Sequence, residues 1–222
     1  MAKKVLVTGF EAFGGESINP TERILQQLLS EEWLTKFEAV GISLYTQLLP
    51  VVRYESLKIC KQKIEAVNPD IVLMLGQAAG RDKISFEKVA INHDDFRIPD
   101  NNGNQPIDEP IIDGGQEAFF SALPLKAMTK ALNQADIPAE ISYTAGTFVC
   151  NHLFYGISHY LATEHPGSAR CDFVHVPLLP QQRQCDSQPC MPLADMVKGL
   201  YEALACAAHQ QRDLKITAGT IC

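Results

Sequence analysis

The residues best able to do chemistry in this chain surround a cysteine in the stretch AGTFVCNHLFYG, residues 145–156. Cys150 follows a predicted strand and loop and opens a predicted helix over residues 150–164. A helix N-terminus would lower the pKa of the thiol and offer backbone N–H groups to an oxyanion. Position alone leaves three interpretations open, namely a nucleophile, a metal ligand or a buried core cysteine.

A thiol nucleophile needs a base, and the base needs an acid to orient it. His152 is close in sequence, but residues two apart on a helix diverge by about 200°, so we expect its ring to point elsewhere, capping or packing against the following turn. His175 lies in the alternating strand DFVHV, just before Pro177, at an end of the sheet. Glu87 is the candidate acid. It lies in the apolar run ISFEKVAIN, where burying a carboxylate is costly unless it has a partner. An ordinary strand histidine and a salt-bridged surface glutamate are the plainer interpretations.

A metal site fits these residues poorly. Cys150-x-His152 and Cys171-x₃-His175 supply zinc-type ligands. In a strand, however, Cys171 and His175 would be roughly 13 Å apart, and the first pair diverges on its helix. Neither pair can easily chelate one ion, so we expect no metal.

The glycine-rich turn TGFEAFGGE, residues 8–16, has the outer spacing of a phosphate loop. Gly15 and Glu16 replace the lysine and the serine or threonine of that loop, and a carboxylate there repels a phosphate. Phe10 and Phe13 lie on this turn at the end of a strand, where open α/β sheets bind ligands. They are either core residues or the walls of a small pocket.

The elements that must position these residues alternate between strands and helices. Asn19 and Pro20 begin a helix, with Glu22 at a capping-box spacing, and Pro69 closes another. The predicted strands are 5–8, 71–75, 141–144 and 172–176, and the predicted helices are 19–33, 57–67, 150–164 and 193–210. This alternation predicts one domain over residues 1–222, a three-layer α/β/α sandwich with a largely parallel, mixed central sheet. The polar segment 92–116 interrupts it as a long loop, either functional or a plain surface excursion.

Composition narrows the class of protein. A net charge of −7 without a lysine or arginine cluster argues against nucleic acid and anionic membranes as partners. No apolar run approaches membrane-spanning length. The seven cysteines are an odd number without framework spacing and no export signal precedes them, so we expect reduced thiols in the cytoplasm.

Five segments together resemble the pyroglutamyl peptidase I family, the pyrrolidone-carboxylate peptidases, which are cysteine peptidases. They occur in the family's order and cover its catalytic core: TGFEAFGG, GQAAGRDKISFEKVAIN, RIPDNNGNQPI, YTAGTFVCNHLFYG and FVHVPLLPQQ. The resemblance implies that Cys150 is the nucleophile, His175 the base and Glu87 the acid that orients it. It also implies a homotetramer.

By the same resemblance, eight residues match positions that line or support the family's pocket: Phe10, Phe13, Asn19, Gln77, Arg97, Ile98, Phe148 and Val149. Three positions depart from the family pattern. Ala12 replaces a proline, Ala79 a glycine and Lys88 an arginine, and Ala79 could narrow a close backbone approach beside Gln77.

The sequence therefore predicts an exopeptidase that removes N-terminal pyroglutamate from peptides through a thioester, without a cofactor. The flat, uncharged lactam suits phenylalanine faces with a few polar groups. The alternatives are another cysteine amidohydrolase with the same triad, or a non-catalytic ligand-binding domain that keeps the pocket and does not need Cys150.

Overall fold

The structure is a computed structural model that describes residues 2–219, and in this range a six-stranded sheet is accompanied by a two-stranded ribbon. The strands are β1 (Lys3–Phe10), β2 (Ile42–Leu49), β3 (Ile71–Gln77), β4 (Ile84–Glu87), β5 (Val89–Ile91), β6 (Ala118–Phe120), β7 (Ala139–Ser142) and β8 (Arg170–Val176). The helices are α1 (Pro20–Leu28), α2 (Glu31–Ala39), α3 (Glu55–Val67), α4 (Leu125–Gln134), α5 (Val149–Thr163) and α6 (Leu193–His209). Within residues 2–219, no helix is long and apolar enough to span a membrane.

The large sheet is mixed and has the strand order β2-β1-β3-β8-β4-β7. Strands β2, β1, β3 and β8 are parallel, β4 is antiparallel to β8, and β7 is parallel to β4. The carboxyl ends of β1, β3 and β8 therefore meet at one edge, which is where open α/β sheets bind ligands. Phe10, Gln77 and Val176 end these strands.

Both faces of the sheet are covered, which confirms the predicted three layers. Val5 and Val7 face the core beneath α1, α4 and α6, whereas Leu6 faces the core beneath α3 and α5. Residues 71–75 of β3 are all fully buried, because their side chains alternate between these two cores.

The predicted helix over residues 19–33 is two helices, and that expectation was wrong. Asn19 begins α1 as expected, since its side chain accepts the Thr21 backbone N–H. Glu22 makes no capping box and accepts a hydrogen bond from Gln26 instead. At Ser30 the backbone becomes extended and α2 begins, with Glu31 and Glu32 in its favourable first turn. This turn in the chain allows Phe37 of α2 to be fully buried against the sheet.

The long polar loop is present as expected. Between Ile91 and Ala118, residues that the structure describes throughout, the chain forms neither helix nor strand beyond one isolated bridge from Asp94 to Glu109. Strands β2, β4, β5 and β6 and helix α4 were not predicted from the sequence.

Candidate active site

Cys150 is the second residue of α5 and lies at the carboxyl edge of the sheet. Phe148 precedes the helix in an extended conformation, so the first N–H groups of α5 have no partner within the helix. The sulfur lies over Gly76 of β3. A methyl group built on Gly76 would come within 2.8 Å of the Cys150 sulfur and of the Phe173 ring. Only glycine allows the thiol to approach the strand this closely.

The thiol is less acidic than its place at a helix N-terminus predicts. Burial at the base of the pocket raises the pKa of Cys150 to about 12, and the negative charge of Glu87 adds to that increase. Arg81 and the backbone N–H of Cys150 oppose the increase without reversing it. The expectation of a lowered thiol pKa is therefore wrong, because loss of water outweighs the helix terminus.

His175 lies next to this thiol through the pairing of two strands. In the parallel register of β3 and β8, His175 is the direct partner of Gly76, over which the sulfur lies. The ring is almost fully buried, and its Nδ1 donates to Glu87 Oε1 at 2.7 Å. This bond fixes the tautomer and leaves Nε2 as the free nitrogen. In residues 2–219, no hydrogen bond joins the thiol to the ring.

Glu87 is fully buried, and one of its oxygens has two donors. Oε1 accepts from His175 Nδ1 and from Arg81 Nη1, each at 2.7 Å. Arg81 Nη2 also donates to the Thr144 carbonyl at 3.1 Å, in the loop that leads to α5. Arg81 was not identified from the sequence. The sequence did contain a signal for Arg81, because Glu87 lies six residues later among apolar residues and a buried carboxylate requires a cation.

A small, narrow pocket opens beside the thiol. Its lining residues are Phe10, Phe13, Asn19, Val51, Gln77, Phe148, Val149 and Cys150. Six of the eight predicted pocket residues are therefore brought together. Of the described residues that line the pocket, none carries a charged side chain.

Arg97 and Ile98, the other two residues that the resemblance implies line or support the pocket, lie outside this lining. Arg97 is exposed. The Ile98 side chain lies 3.9 Å from where a methyl group on Gly14 would stand, so it packs against the glycine-rich turn. Val51 takes part in the wall instead, and no pattern in the sequence singled it out.

Asp100 organises the part of the long loop that contacts Val51 of the pocket wall. Its carboxylate accepts hydrogen bonds from the backbone N–H groups of Arg53, Asn102 and Asn104 and from the Asn104 side chain. Burial opposes ionisation of Asp100, but these donors outweigh it and lower the pKa. Asn101 in the same turn donates to the Val51 carbonyl, which ties the loop to the pocket wall.

His152 points away from Cys150, as its helical position predicts. Its partners are earlier loops and not the following turn. Nδ1 bonds Asp94 Oδ2 at 2.8 Å and Nε2 accepts the Tyr54 backbone N–H at 3.1 Å, with the imidazole and the carboxylate both fully buried. His152 therefore links α5 to the long loop and does not face Cys150.

The positions that depart from the family pattern lie around the site and not in its lining. Ala79 is exposed, so its methyl group does not narrow the pocket wall. The Ala12 carbonyl accepts a hydrogen bond from Asn101. The Lys88 amine lies 5.9 Å from the centre of the Phe120 ring.

The cysteines and acidic residues do not group into a metal site in the part of the chain described. Within residues 2–219, no set of three or more histidine, cysteine, aspartate or glutamate side chains could hold an ion. Cys171 contacts Ser158 instead of sharing a site with Cys150. The six cysteines in this range are free thiols, and Cys222 lies outside the described residues.

Comparison with known proteins gives one family throughout. The sequence model of the pyroglutamyl peptidase family matches residues 3–210. The pyrrolidone-carboxylate peptidase of Vibrio vulnificus (strain YJ016) is 50% identical over 220 residues, which cover 99% of this chain and 100% of that protein. The one from Brevibacillus brevis is 47% identical over 221 residues, 99% of both chains. The crystal structure of pyroglutamyl peptidase I from Bacillus amyloliquefaciens superposes with a TM-score of 0.90 at 41% identity, covering 98% of this chain and 100% of that one.

Proposed function

The chain belongs to the pyroglutamyl peptidase family of cysteine peptidases, and from that premise we propose that Cys150, His175 and Glu87 hydrolyse the bond after an N-terminal pyroglutamate. The observation that carries the proposal is the buried Glu87–His175 pair, whose histidine is the strand partner of the glycine beneath the thiol. The pocket beside the sulfur, which no charged side chain lines, would hold the lactam ring.

The first step is a proton transfer coupled to attack. Because burial keeps Cys150 protonated at neutral pH, His175 Nε2 takes the thiol proton as the sulfur attacks the pyroglutamyl carbonyl carbon. Glu87 accepts from Nδ1 and stabilises the imidazolium that forms. The free N–H groups at the start of α5 bind the developing oxyanion.

The second half of the reaction returns the enzyme to its resting state. The imidazolium gives its proton to the leaving nitrogen, the C–N bond breaks, and the peptide departs as a free amine. A water molecule then attacks the thioester while His175 accepts one of its protons. The C–S bond breaks, pyroglutamic acid is released, and Cys150 regains its proton.

The pocket supports the choice of substrate. Phe13 and Phe148 lie with ring centres 6.0 Å apart, and Phe96 packs edge-on against Phe148 at 4.7 Å. Aromatic faces of this kind fit a flat lactam, and the amides of Asn19 and Gln77 supply the polar groups. Proline lacks the ring carbonyl and would leave one of these groups unpaired, so it should be rejected.

Release of a chromophore from a pyroglutamyl amide tests the proposal, with the prolyl amide as the matched control substrate. We expect turnover of the first, none of the second, and loss of activity in Cys150→Ala. Turnover of a different small amide alone would support another cysteine amidohydrolase. Binding of pyroglutamate without any turnover would support the ligand-binding alternative.

The same family membership supports three wider proposals. The whole chain, residues 1–222, acts as one catalytic domain, since the family match covers residues 3–210. The free thiols suit a reducing compartment such as the cytoplasm. A homo-oligomer, a tetramer by family resemblance, would cover exposed apolar residues such as Phe120 and Ile107, and size-exclusion chromatography with light scattering tests it.

A further inference from the structure

Gln182 lies outside the pocket but contacts its polar wall. It ends a single turn of 3₁₀ helix, Pro180–Gln182, that follows β8, and it is 7% exposed. Its side-chain Nε2 donates to the Gln77 side-chain oxygen at 2.9 Å and to the Ile18 carbonyl at 3.3 Å. Its Oε1 accepts the Leu179 backbone N–H at 2.9 Å. Every polar atom of this amide therefore has a partner.

Two backbone groups determine which way this amide faces. The Leu179 N–H can only donate, so the atom beside it must be Oε1 of Gln182. The Ile18 carbonyl can only accept, so the opposite atom must be Nε2. If the Gln182 amide were reversed, its amino group would face the Leu179 N–H, so a donor would meet a donor. Its oxygen would face the Ile18 carbonyl, so an acceptor would meet an acceptor. Its orientation thus follows from the backbone.

The orientation of Gln182 is passed to Gln77. Because Gln182 presents a donor, the atom of Gln77 that meets it must be the acceptor Oε1. The Gln77 amino group is then the free end of an amide that lines the pocket. Without such a partner, a glutamine amide could face either way, because its oxygen and its amino group are alike in shape but one accepts and the other donates hydrogen bonds.

We propose that Gln182 is a positioning residue for substrate selection: it holds the Gln77 amide with its N–H groups toward the ligand, so that Gln77 recognises the ring carbonyl of the lactam. The inference rests on the proposed function for the identity of that ligand. It also explains selectivity, because a five-membered ring without the carbonyl would leave a directed donor unpaired.

The test compares Gln182→Leu, Gln182→Glu, Gln77→Leu and the double Leu variant, with Gln181→Leu as control. Gln181 is exposed and lies on the same turn. One measurement is kcat and KM for a pyroglutamyl amide. The other is the concentration of 2-pyrrolidone that halves the rate of Cys150 alkylation by iodoacetamide, which needs no turnover.

We expect Gln182→Leu to raise KM and the protecting concentration by roughly 10- to 100-fold with kcat nearly unchanged. The double variant should be no worse than Gln77→Leu, because Gln182 acts through Gln77. Gln182→Glu should be worse than Gln182→Leu, because a carboxylate accepts from Gln77 and reverses its amide. A purely structural role predicts the opposite order, since glutamate keeps the shape.

Additive losses in the double variant, or a Gln182→Glu enzyme close to wild type, would overturn the inference. A wild-type protein that 2-pyrrolidone protects but that does not hydrolyse the pyroglutamyl amide would overturn the proposed function instead. The order of the variants in the protection assay would still decide the role of Gln182 in that case. Thermal melts of each variant identify any that fail to fold, and for those the milder Gln182→Met takes the place of Leu.

Discussion

Glu87 and His175 lie diagonally across the antiparallel pair of β4 and β8, and their side chains meet at 2.7 Å. The direct strand partner of His175 is Ser85, two residues before Glu87. Alternation places Ser85, Glu87 and His175 on one face of the sheet, the face that carries α5. The reversed strand β4 thus supplies the carboxylate of this pair, while the parallel strand β8 supplies the imidazole.

His175 and His152 should differ sharply when each is replaced by alanine. Removing a general base costs on the order of 10²–10⁴ in rate, so His175→Ala should be nearly inactive in turnover, because His175 no longer takes the thiol proton during attack. His152→Ala should keep a reactive thiol but lose stability, roughly 3–5 kcal/mol, because it leaves the buried Asp94 carboxylate without one of its partners. Turnover and urea unfolding separate the two. The reverse pattern would make His152 the base.

The alkylation rate of Cys150 should rise by about tenfold per pH unit from pH 7 to 10. The pKa of this thiol is raised to about 12, so below that pH the reactive thiolate fraction increases with each unit. Mass spectrometry can follow each cysteine separately. Exposed Cys185 is the internal control, since a hydrogen bond from Ser187 lowers its pKa and its labelling should leave activity intact. A Cys150 rate that levels off below pH 8 would indicate a resting thiolate–imidazolium pair instead.

Glu87→Gln and Arg81→Met should affect activity and stability differently. Glu87→Gln keeps the shape but removes the charge that supports the imidazolium, so turnover should fall by roughly 10²–10⁴ with little unfolding. Arg81→Met leaves the buried Glu87 charge without its cation and should cost roughly 1–3 kcal/mol of stability. The double variant should regain stability over Arg81→Met in urea unfolding. Additive stability losses would show that the two residues act independently.

Phe13→Ala should weaken pyroglutamyl substrates by roughly 1–3 kcal/mol in kcat/KM, if the ring supplies apolar contact to the lactam. Phe10→Ala should have a similar effect, but Phe10 is almost fully buried, so its variant should also lose roughly 3–5 kcal/mol of stability. Steady-state kinetics on a pyroglutamyl amide and thermal melts measure both. Unchanged kinetics in the two variants would make these residues part of the core alone.

The stability of Asp172→Asn relative to the wild type should increase as the pH rises above the ordinary aspartate pKa of about 4. Asp172 is fully buried on the face of β8 opposite His175, and burial raises its pKa well above the usual value, although Ser121 and the Phe173 N–H partly oppose this. The folded protein therefore holds a proton that the unfolded chain releases above its own pKa. Stability should fall with rising pH across that window by up to about 1.4 kcal/mol per unit.

Melting temperatures of both proteins across this pH range provide the measurement. Asparagine has no proton to release, so the wild-type decline with pH should be absent in the variant. A constant difference between the two proteins would mean that Asp172 is ionised in the fold.

The sequence identified the groups that carry distinctive chemistry and missed those that act through others. A cysteine at a helix start, a histidine at a strand end and a carboxylate among apolar residues are each detectable by local pattern. Arg81 and Gln182 are not, because the roles proposed for them depend on contacts with Glu87 and Gln77 that form only when the chain folds. Residue type likewise did not show that burial would outweigh the helix terminus at Cys150.

The mostly parallel sheet was predictable because a strand covered on both faces is a continuous apolar run, as in residues 71–75. The break between α1 and α2 was not, because helical periodicity continues through Leu28 and Leu29. The burial of Phe37, a tertiary effect, favours the turn at Ser30. Arg97 was placed by resemblance, and no local feature of RIPDNNGNQPI indicates which of its side chains face outward.

Among the described residues that line the pocket, the absence of a charged side chain has a consequence for what the protein can distinguish. An N-terminal glutamine or glutamate carries a protonated amine, which would lose its water on entry without gaining an ionic partner. Cyclisation converts that amine into a lactam nitrogen and removes the charge. Under the proposed function, this pocket therefore recognises a covalent modification of the peptide terminus and not the amino acid from which it arose. An uncyclised peptide of the same sequence is excluded until the ring has closed.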